Sequence, residues 1–252
     1  PFAPKQKLRP LPVGGDLAFR FDPEGVTFSD STVATSSTFI ALKGRRENAG
    51  PATFPFHVTS RDWQASDRLL AGIMTAMGRT TDPVKVGGVG TFDGVMTETF
   101  DDPRIQGHFS SDDMRMWDVT WGHGDGDVVI QNRYLDLTNG VVTRGPGTIR
   151  ANGRFALGFP RADGNEEIRA NVSVRAWPLN DLRIAFGRNT EDWPIDGLIR
   201  SSDLKLYGKY GNNGLFGQGP LRLEHGVAWT ESFETATGDL AFTGPSVDLT
   251  SV

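Results

Sequence analysis

The residues best suited to chemistry in this chain are four histidines, several paired acids and six tryptophans, and there is no cysteine. His123-Gly-Asp125-Gly-Asp127 places three potential metal ligands at alternate positions. A calcium loop needs further oxygen ligands at set spacing and a closing bidentate acid, which are missing here. Asp127 also belongs to a Gly-Asp pair that recurs at Gly15-Asp16 and Gly238-Asp239 with no histidine before it, so a structural turn is the favoured reading. Asp101-Asp102 and Asp112-Asp113 offer carboxylates for a glycosidase, which needs two across a cleft. Asp102-Pro103 is a common turn opening, however, and Asp112-Asp113 follows Ser110-Ser111 in what reads as another turn. Trp63, Trp117, Trp121, Trp177, Trp193 and Trp229 could stack on sugar rings, but Trp63 and Trp177 recur in matching surroundings and read as packing residues. No nucleophile elbow, zinc-protease helix, phosphate loop or dinucleotide fingerprint is present, and Gly87-Gly-Val-Gly90 lacks a following helix. The expectation is a non-enzyme with no catalytic residue, metal or cofactor.

The elements that carry these residues follow from composition. Of 252 residues, 31 are Gly and 15 are Pro, too many for long helices and suited to many strands and turns. Apolar residues make up 37% and charged residues 23%, enough for a core beneath a largely polar surface. The net charge of -5, with acids and bases interspersed, gives nothing to attract a nucleic-acid backbone. Absent cysteine removes disulfides and thiolate sites and leaves the periplasm open as a compartment. No apolar stretch approaches the ~18 to 20 residues that cross a bilayer. Pro1-Phe-Ala-Pro-Lys-Gln-Lys7 is neither a start nor a signal peptide, so the chain is expected to be a segment whose membrane anchor lies outside it.

A repeat organises the chain. Gly15-Asp-Leu-Ala-Phe19, Gly126-Asp-Val-Val-Ile130 and Gly238-Asp-Leu-Ala-Phe242 begin 111 and 112 residues apart. Trp63 before Asp67-Arg-Leu69 is echoed 114 residues later by Trp177 before Asn180-Asp-Leu182. Val89-Gly-Thr-Phe-Asp-Gly94 is echoed by Trp193-Pro-Ile-Asp-Gly197, and Gly107-His-Phe109 by Gly214-Leu-Phe216. Landmarks kept in order at nearly one period mark a repeat architecture. The units are a first repeat at about 15–125, a second at about 126–237 and the start of a third at 238–252.

Inside each unit apolar and polar residues alternate, which puts each apolar set on one strand face. The apolar sets are Leu17, Phe19, Phe21 and Phe28; Val128, Ile130, Leu135 and Leu137; Phe155, Leu157, Val172 and Val174; and Leu204, Leu206, Leu221, Leu223, Leu240 and Phe242. Arg154, Arg222, Asp203, Lys205 and Ser173 lie between them and face water. Asp22-Pro-Glu-Gly25, Asn139-Gly140, Arg144-Gly-Pro-Gly147 and Ala162-Asp-Gly-Asn165 read as hairpin turns. The pattern predicts an antiparallel meander of roughly eighteen strands spanning on the order of 85 Å. One stretch reads as a helix, Ser66 to Met77, with Leu69, Leu70, Ile73, Met74 and Met77 as its stripe, Ser66 as N-cap and Gly78 as stop. It reads as a lid on the sheet, and a shorter, ambiguous counterpart lies near Asn180 to Gly187.

These motifs resemble the repeated β region of the TamB and AsmA-like envelope proteins. The resemblance rests on Gly126-Asp-Val128, Trp177-Pro-Leu-Asn-Asp-Leu182, Pro194-Ile-Asp-Gly197, Leu204-Lys-Leu-Tyr-Gly208 and Gly217-Gln-Gly-Pro-Leu-Arg-Leu-Glu-His-Gly226, and covers nearly the whole chain. The first repeat departs from it at Phe100-Asp-Asp-Pro-Arg-Ile105. The resemblance implies an all-β, elongated, curled antiparallel sheet, open along one side like a taco shell. Its apolar interior, lined by the residues named above, would take phospholipid acyl chains. It further implies a periplasmic location, an inner-membrane anchor outside this segment, a role in lipid transport or outer-membrane biogenesis, and contact with an outer-membrane barrel protein or its assembly factor. The alternative from another class is an extracellular adhesin or carbohydrate-binding β-solenoid using Trp117, Trp121 and Trp229.

Overall fold

A computed structural model of the chain describes residues 13–48, 50, 52–76, 83, 85–98, 103–132, 134–156, 167–185, 191, 194–209, 214–244 and 246–250. The order of elements begins β1 (Gly14–Asp22), β2 (Gly25–Ala34), β3 (Thr38–Glu47), β4 (Ala52–Ser60), α1 (Trp63–Ala76), β5 (Gly87–Glu98) and β6 (Pro103–Met116). It continues with β7 (Val119–Gln131), β8 (Tyr134–Arg144), β9 (Gly147–Ala156), β10 (Glu167–Pro178) and α2 (Leu179–Ala185). The last four are β11 (Ile195–Lys209), β12 (Leu215–Ala228), β13 (Glu231–Thr243) and β14 (Ser246–Thr250). All fourteen strands form one antiparallel sheet in which the spatial order is the chain order, and β1 and β14 do not meet. The expected all-β class and open antiparallel sheet are therefore what the chain adopts.

The described residues form fourteen strands rather than eighteen, which span roughly 62 Å at ~4.8 Å per spacing. The difference comes from segments that read as turns and instead lie inside long strands as bulges. Asn139, at φ 54°, occupies the middle of β8, where the register passes from Leu137 to Gly140. Asp113, at φ 49°, does the same in β6 between Ser111 and Met114, and the His123–Asp127 stretch is part of β7, with a bulge between Asp125 and Asp127. Asn and Asp tolerate the left-handed conformation, so the signal that suits a hairpin also suits a bulge. Two other turns stand as read: the Asp22 carboxylate accepts from the amides of Glu24 and Gly25 at 2.9 Å, and Gly145 at φ 55° joins β8 to β9. Ala162-Asp-Gly-Asn165 lies outside the described residues.

Bulges leave backbone groups unpaired, and buried hydroxyls take them up. The fully buried Ser31 accepts from the amide of Ala18 and donates to the carbonyl of Ser29, beside the bulges of β1 and β2. Ser111 donates to the carbonyl of Val89 at the β5 bulge, and Ser202 to that of Pro220. Bulges also increase strand twist and curl, and open sheets beyond ~10 strands seldom stay flat. The curl is visible in the tryptophans: Trp121 of β7 and Trp177 of β10 stand three strands apart, about 14 Å in a flat sheet. Their rings nevertheless stack with centroids 6.0 Å apart.

Both helices follow equivalent strands, β4 and β10, and lie at the same end of the sheet. The first begins three residues earlier than expected, because Asp62 and not Ser66 caps it: its Oδ1 accepts from the amides of Gln64 and Ala65 at 3.0 and 3.2 Å. Ser66 is instead buried, its hydroxyl 2.6 Å from that of Thr38 and 2.7 Å from that of Ser60, tying α1 to β3 and β4. Leu70 of the expected stripe points outward, while Trp63 and Ala71 are buried. Met77 and Gly78 lie outside the described residues. The ambiguous second stretch is a true helix, α2, and among the described residues no helix is long and apolar enough to cross a membrane. The three Gly-Asp strings fall on β1, β7 and β13, six strands apart.

Candidate functional site: an apolar trough and a polar outer ladder

Directly opposed residues of neighbouring strands share a face, so the register traces what lines each side of the sheet. One row runs Phe54, Met96, Ile105, Ile130, Leu135, Phe155, Ile168, Gly208, Leu215 from β4 to β12. A second runs Leu42, Phe56, Gly94, Gly107, Val128, Leu137, Gly153, Ala170, Leu206, Gly217, Phe242, Val247 from β3 to β14. No charged residue interrupts either row. Among the described residues substantial backbone contact between strands is confined to neighbours in the sheet, and no second sheet lies on this face. The result is a trough face whose apolar rows run across the strands, with Phe54, Val128, Ile168, Ala170, Leu206 and Leu215 buried and Met96, Ile105, Ile130, Leu135, Leu137 and Phe155 half-buried.

Glycine shapes the wall. At Gly94 and Gly107 an added Cβ would stand 2.5 and 2.8 Å from ring atoms of Phe92, which lies flat over them and stacks on Phe56 with centroids 5.6 Å apart. Phe28 and Phe54, two strands apart, meet edge-on with centroids 5.8 Å apart, and the Phe54 ring covers Gly44. Alternating a large side chain with glycine lets rings fold onto the sheet, so the wall is a smooth tiled surface.

Most residues expected to line the interior fall on this face. Val128, Ile130, Leu135, Leu137, Phe155 and Leu206 lie in the two rows. Val172 and Leu204 oppose each other in a third, and Leu240 packs beside them. Phe28 is half-buried opposite Phe19. Phe19 and Phe21, on the edge strand, are exposed, as is Leu17 at the β1 bulge. Val174, Leu221 and Leu223 also face inward, but Trp177 and α2 cover them, so they belong to a packed core at the helix end. Leu157 is outside the described residues, and Phe242 is placed by register alone.

At the helix end α2 reaches across the trough to touch β7 as well as β10 and β11. Arg144 holds it there, its guanidinium donating to Asp181 and to the carbonyl of Thr120 while lying 4.7 Å over the Trp177 ring. Arg183, buried on the other side, donates to Asn180 at 2.6 Å and stands 3.8 Å from Asp196. The buried indole N–H groups of Trp63 and Trp177 have no hydrogen-bond partner among the described residues. Trp117, Trp121 and Trp229 do not form a sugar-stacking platform: Trp121 is buried, Trp117 stands edge-on to it, and Trp229 is 78% exposed on a hairpin tip.

The opposite face is a polar ladder. His57, Asp93, His108, Asp127 and Thr138 oppose one another from β4 to β8. His108 is clasped by two carboxylates, Nδ1 to Asp127 at 3.0 Å and Nε2 to Asp125 at 3.1 Å, and Asp127 also accepts from Asn139 at 2.9 Å. Among the described residues no cluster of three or more such groups is arranged to hold a metal. The hydrogen bond to Asp127 and the charge of Asp125 raise the His108 pKa above its ordinary 6.5, while Asn139 and then His108 lower that of Asp127 below 3.8. A raised histidine stabilises the fold fully below the unfolded pKa and loses that contribution as pH rises through the folded one. A lowered aspartate contributes above its unfolded pKa and loses it as pH falls. The pair therefore contributes most between about pH 4 and 6.5. In an NMR titration His108 is expected to have its midpoint above 6.5, with Asp127→Asn moving it down. An unmoved midpoint would dismiss the clasp.

The alternation picked out Leu, Ile, Val and Phe but missed the wall glycines and the contribution of Phe54, Met96 and Ile105. The signal was present, since Gly94 and Gly107 occupy apolar phases beside Phe92 and Phe109. No family model matches the chain, and neither a curated protein nor a solved structure matches it.

Proposed function

We propose that the chain is a non-enzymatic groove segment that carries phospholipid by its acyl chains, working in the periplasm as part of an inner-membrane-tethered protein of the TamB and AsmA-like kind. The supporting observation is the pair of uninterrupted apolar rows on a face that no other sheet covers, backed by a polar face. Each buried CH₂ of an acyl chain contributes about 0.8 kcal/mol, which favours a long-chain ligand over a small one. A smooth wall without directed polar groups suits chains of varied length and saturation, and the packed helix end confines them to the other part of the trough. Native mass spectrometry of protein purified without detergent tests this reading. Phospholipid adducts are expected, falling several-fold in Leu206→Arg, which sets a charge in the second row. A lipid-free wild type that also fails to load from phospholipid vesicles, or equal occupancy in Leu206→Arg, would overturn it.

A further inference from the structure

All four histidines of the chain lie against carboxylates of a neighbouring strand. Three of them fall together on the outer face of β4–β7. His57 Nδ1 stands 2.6 Å from Asp93 across the β4–β5 seam, and His123 Nδ1 stands 2.7 Å from Asp112 across the β6–β7 seam, where His108 also meets Asp125 and Asp127. The pairs cross β6–β7 in both directions, with one histidine on each strand. The charge around them is one-sided. His108 faces Asp93 from β5 as well as its two partners from β7, while His57 faces the uncharged Ala41 from β3 and His123 faces Thr143 from β8. Asp113 adds an acid beside Asp112 in the β6 bulge, whereas Arg104 of β6 donates to Gln106 and Arg150 of β9 opposes Val141. Among the described residues no lysine or arginine forms an ion pair with Asp93, Asp112, Asp125 or Asp127.

Later seams of the outer face use arginine instead. Arg154 holds Asp136 across β8–β9 and Arg175 holds Asp203 across β10–β11, each with two hydrogen bonds between 2.7 and 3.0 Å. A guanidinium keeps its charge throughout the physiological range, and an imidazole does not. The titrating clasps also stand where the inner face gives least support. Asp93, His108, His123, Asp125 and Asp127 each have a glycine beside them in the chain, and a strand glycine brings no side chain to the packing on the other face.

We infer that the His57, His108 and His123 clasps form a pH-sensitive seam. Protonated, they hold β4–β7 together from the outside. Deprotonated, they leave Asp93, Asp112, Asp125 and Asp127 as four unbalanced carboxylates on three adjacent strands, and the ladder there opens locally while the arginine-held strands stay closed. The hydrogen bond to Asp127 and the charge of Asp125 raise the His108 pKa, so its clasp is complete below the unfolded value of about 6.5 and is lost as pH rises through the folded one. The three histidine side chains are 40–48% exposed, so one clasp contributes little to global unfolding. Local opening of the seam reports it directly. The device needs no ligand and stands whether or not the trough carries lipid.

Hydrogen exchange read residue by residue by NMR tests the seam between about pH 5.5 and about pH 8, with protection corrected for the intrinsic pH dependence of exchange. Protection of the β4–β5 and β6–β7 amides is expected to fall several-fold as pH rises, relative to the amides of β8–β9 and β10–β11. His108→Arg, which keeps a cation between Asp125 and Asp127, is expected to preserve β6–β7 protection at the higher pH, and His108→Gln to lower it at the lower pH. Equal protection at both pH values, a parallel loss across the arginine-held seams, or an unchanged pH response in His108→Arg would overturn the inference.

Discussion

Trp177→Ala is expected to lower the free energy of unfolding by about 3–5 kcal/mol, the range for deleting a buried aromatic ring. Trp177 is 1% exposed, stacks on Trp121, lies beneath the Arg144 guanidinium and covers Gly147, where an added Cβ would stand 2.7 Å from the ring. Val174, Ile199 and Leu223 pack into the same core, so the hole would open at the place where β7, β10, β11 and α2 meet. Trp177→Phe is a sharper test. Its smaller ring leaves some space, yet it removes an indole N–H that has no partner among the described residues, and an unpaired buried donor costs about 1–3 kcal/mol. The two effects offset, and Trp177→Phe should fall within about 1.5 kcal/mol of the wild type. Urea unfolding measures both, and a cost under ~1.5 kcal/mol for the alanine variant would show that α2 is not seated as described.

Gly107→Val is expected to destabilise by about 3 kcal/mol, the upper part of the range for overpacking. A Cβ at Gly107 would stand 2.3 Å from the carbonyl oxygen of Asp93 and 2.7 Å from the Cα of Gly94, so backbone and not a flexible side chain would have to move. The β5–β6 ladder and the Phe92 ring lying over it would both be displaced. Gly72 is the internal contrast: it sits inside α1 with nothing within 4 Å of an added Cβ. Gly72→Ala should raise stability by roughly 0.5–1 kcal/mol through helix propensity alone. If chemical denaturation gave the two substitutions the same sign, the tiled wall would lose its support.

The sheet was legible because period-two alternation is enforced wherever one face is apolar and the other wet; Phe155, Val172, Leu204 and Leu240 obey it. Strand count was not legible. Asn139 and Asp113 carry the conformational signal of a turn, and only the pairing of Gly140 with Ala151 and Met114 with Gly122 shows that the strand continues past them. The extent of the trough was blurred for another reason. Leu223 and Leu206 have the same pattern in sequence, yet curl brings Trp121 and α2 over one, while the other is buried among Ile168, Ala170 and Leu215. Sequence spacing holds no record of that long-range approach. The outer ladder was missed because His57, His108 and Asp127 lie on different strands, and only the register brings them together.

Each described strand pairs only with its neighbours along the chain, with no crossover anywhere in the described sheet. Contacts are therefore local along the polymer, which removes most of the loop-closure entropy that slows assembly of other large sheets. Zipping can start at any hairpin and spread both ways, as in solenoids. The same wiring governs response to tension. Pulled from both ends of the described sheet, such a ribbon yields at its outermost strands and peels inward one hairpin at a time, so load is shed in many small steps, and what remains folded is still a groove.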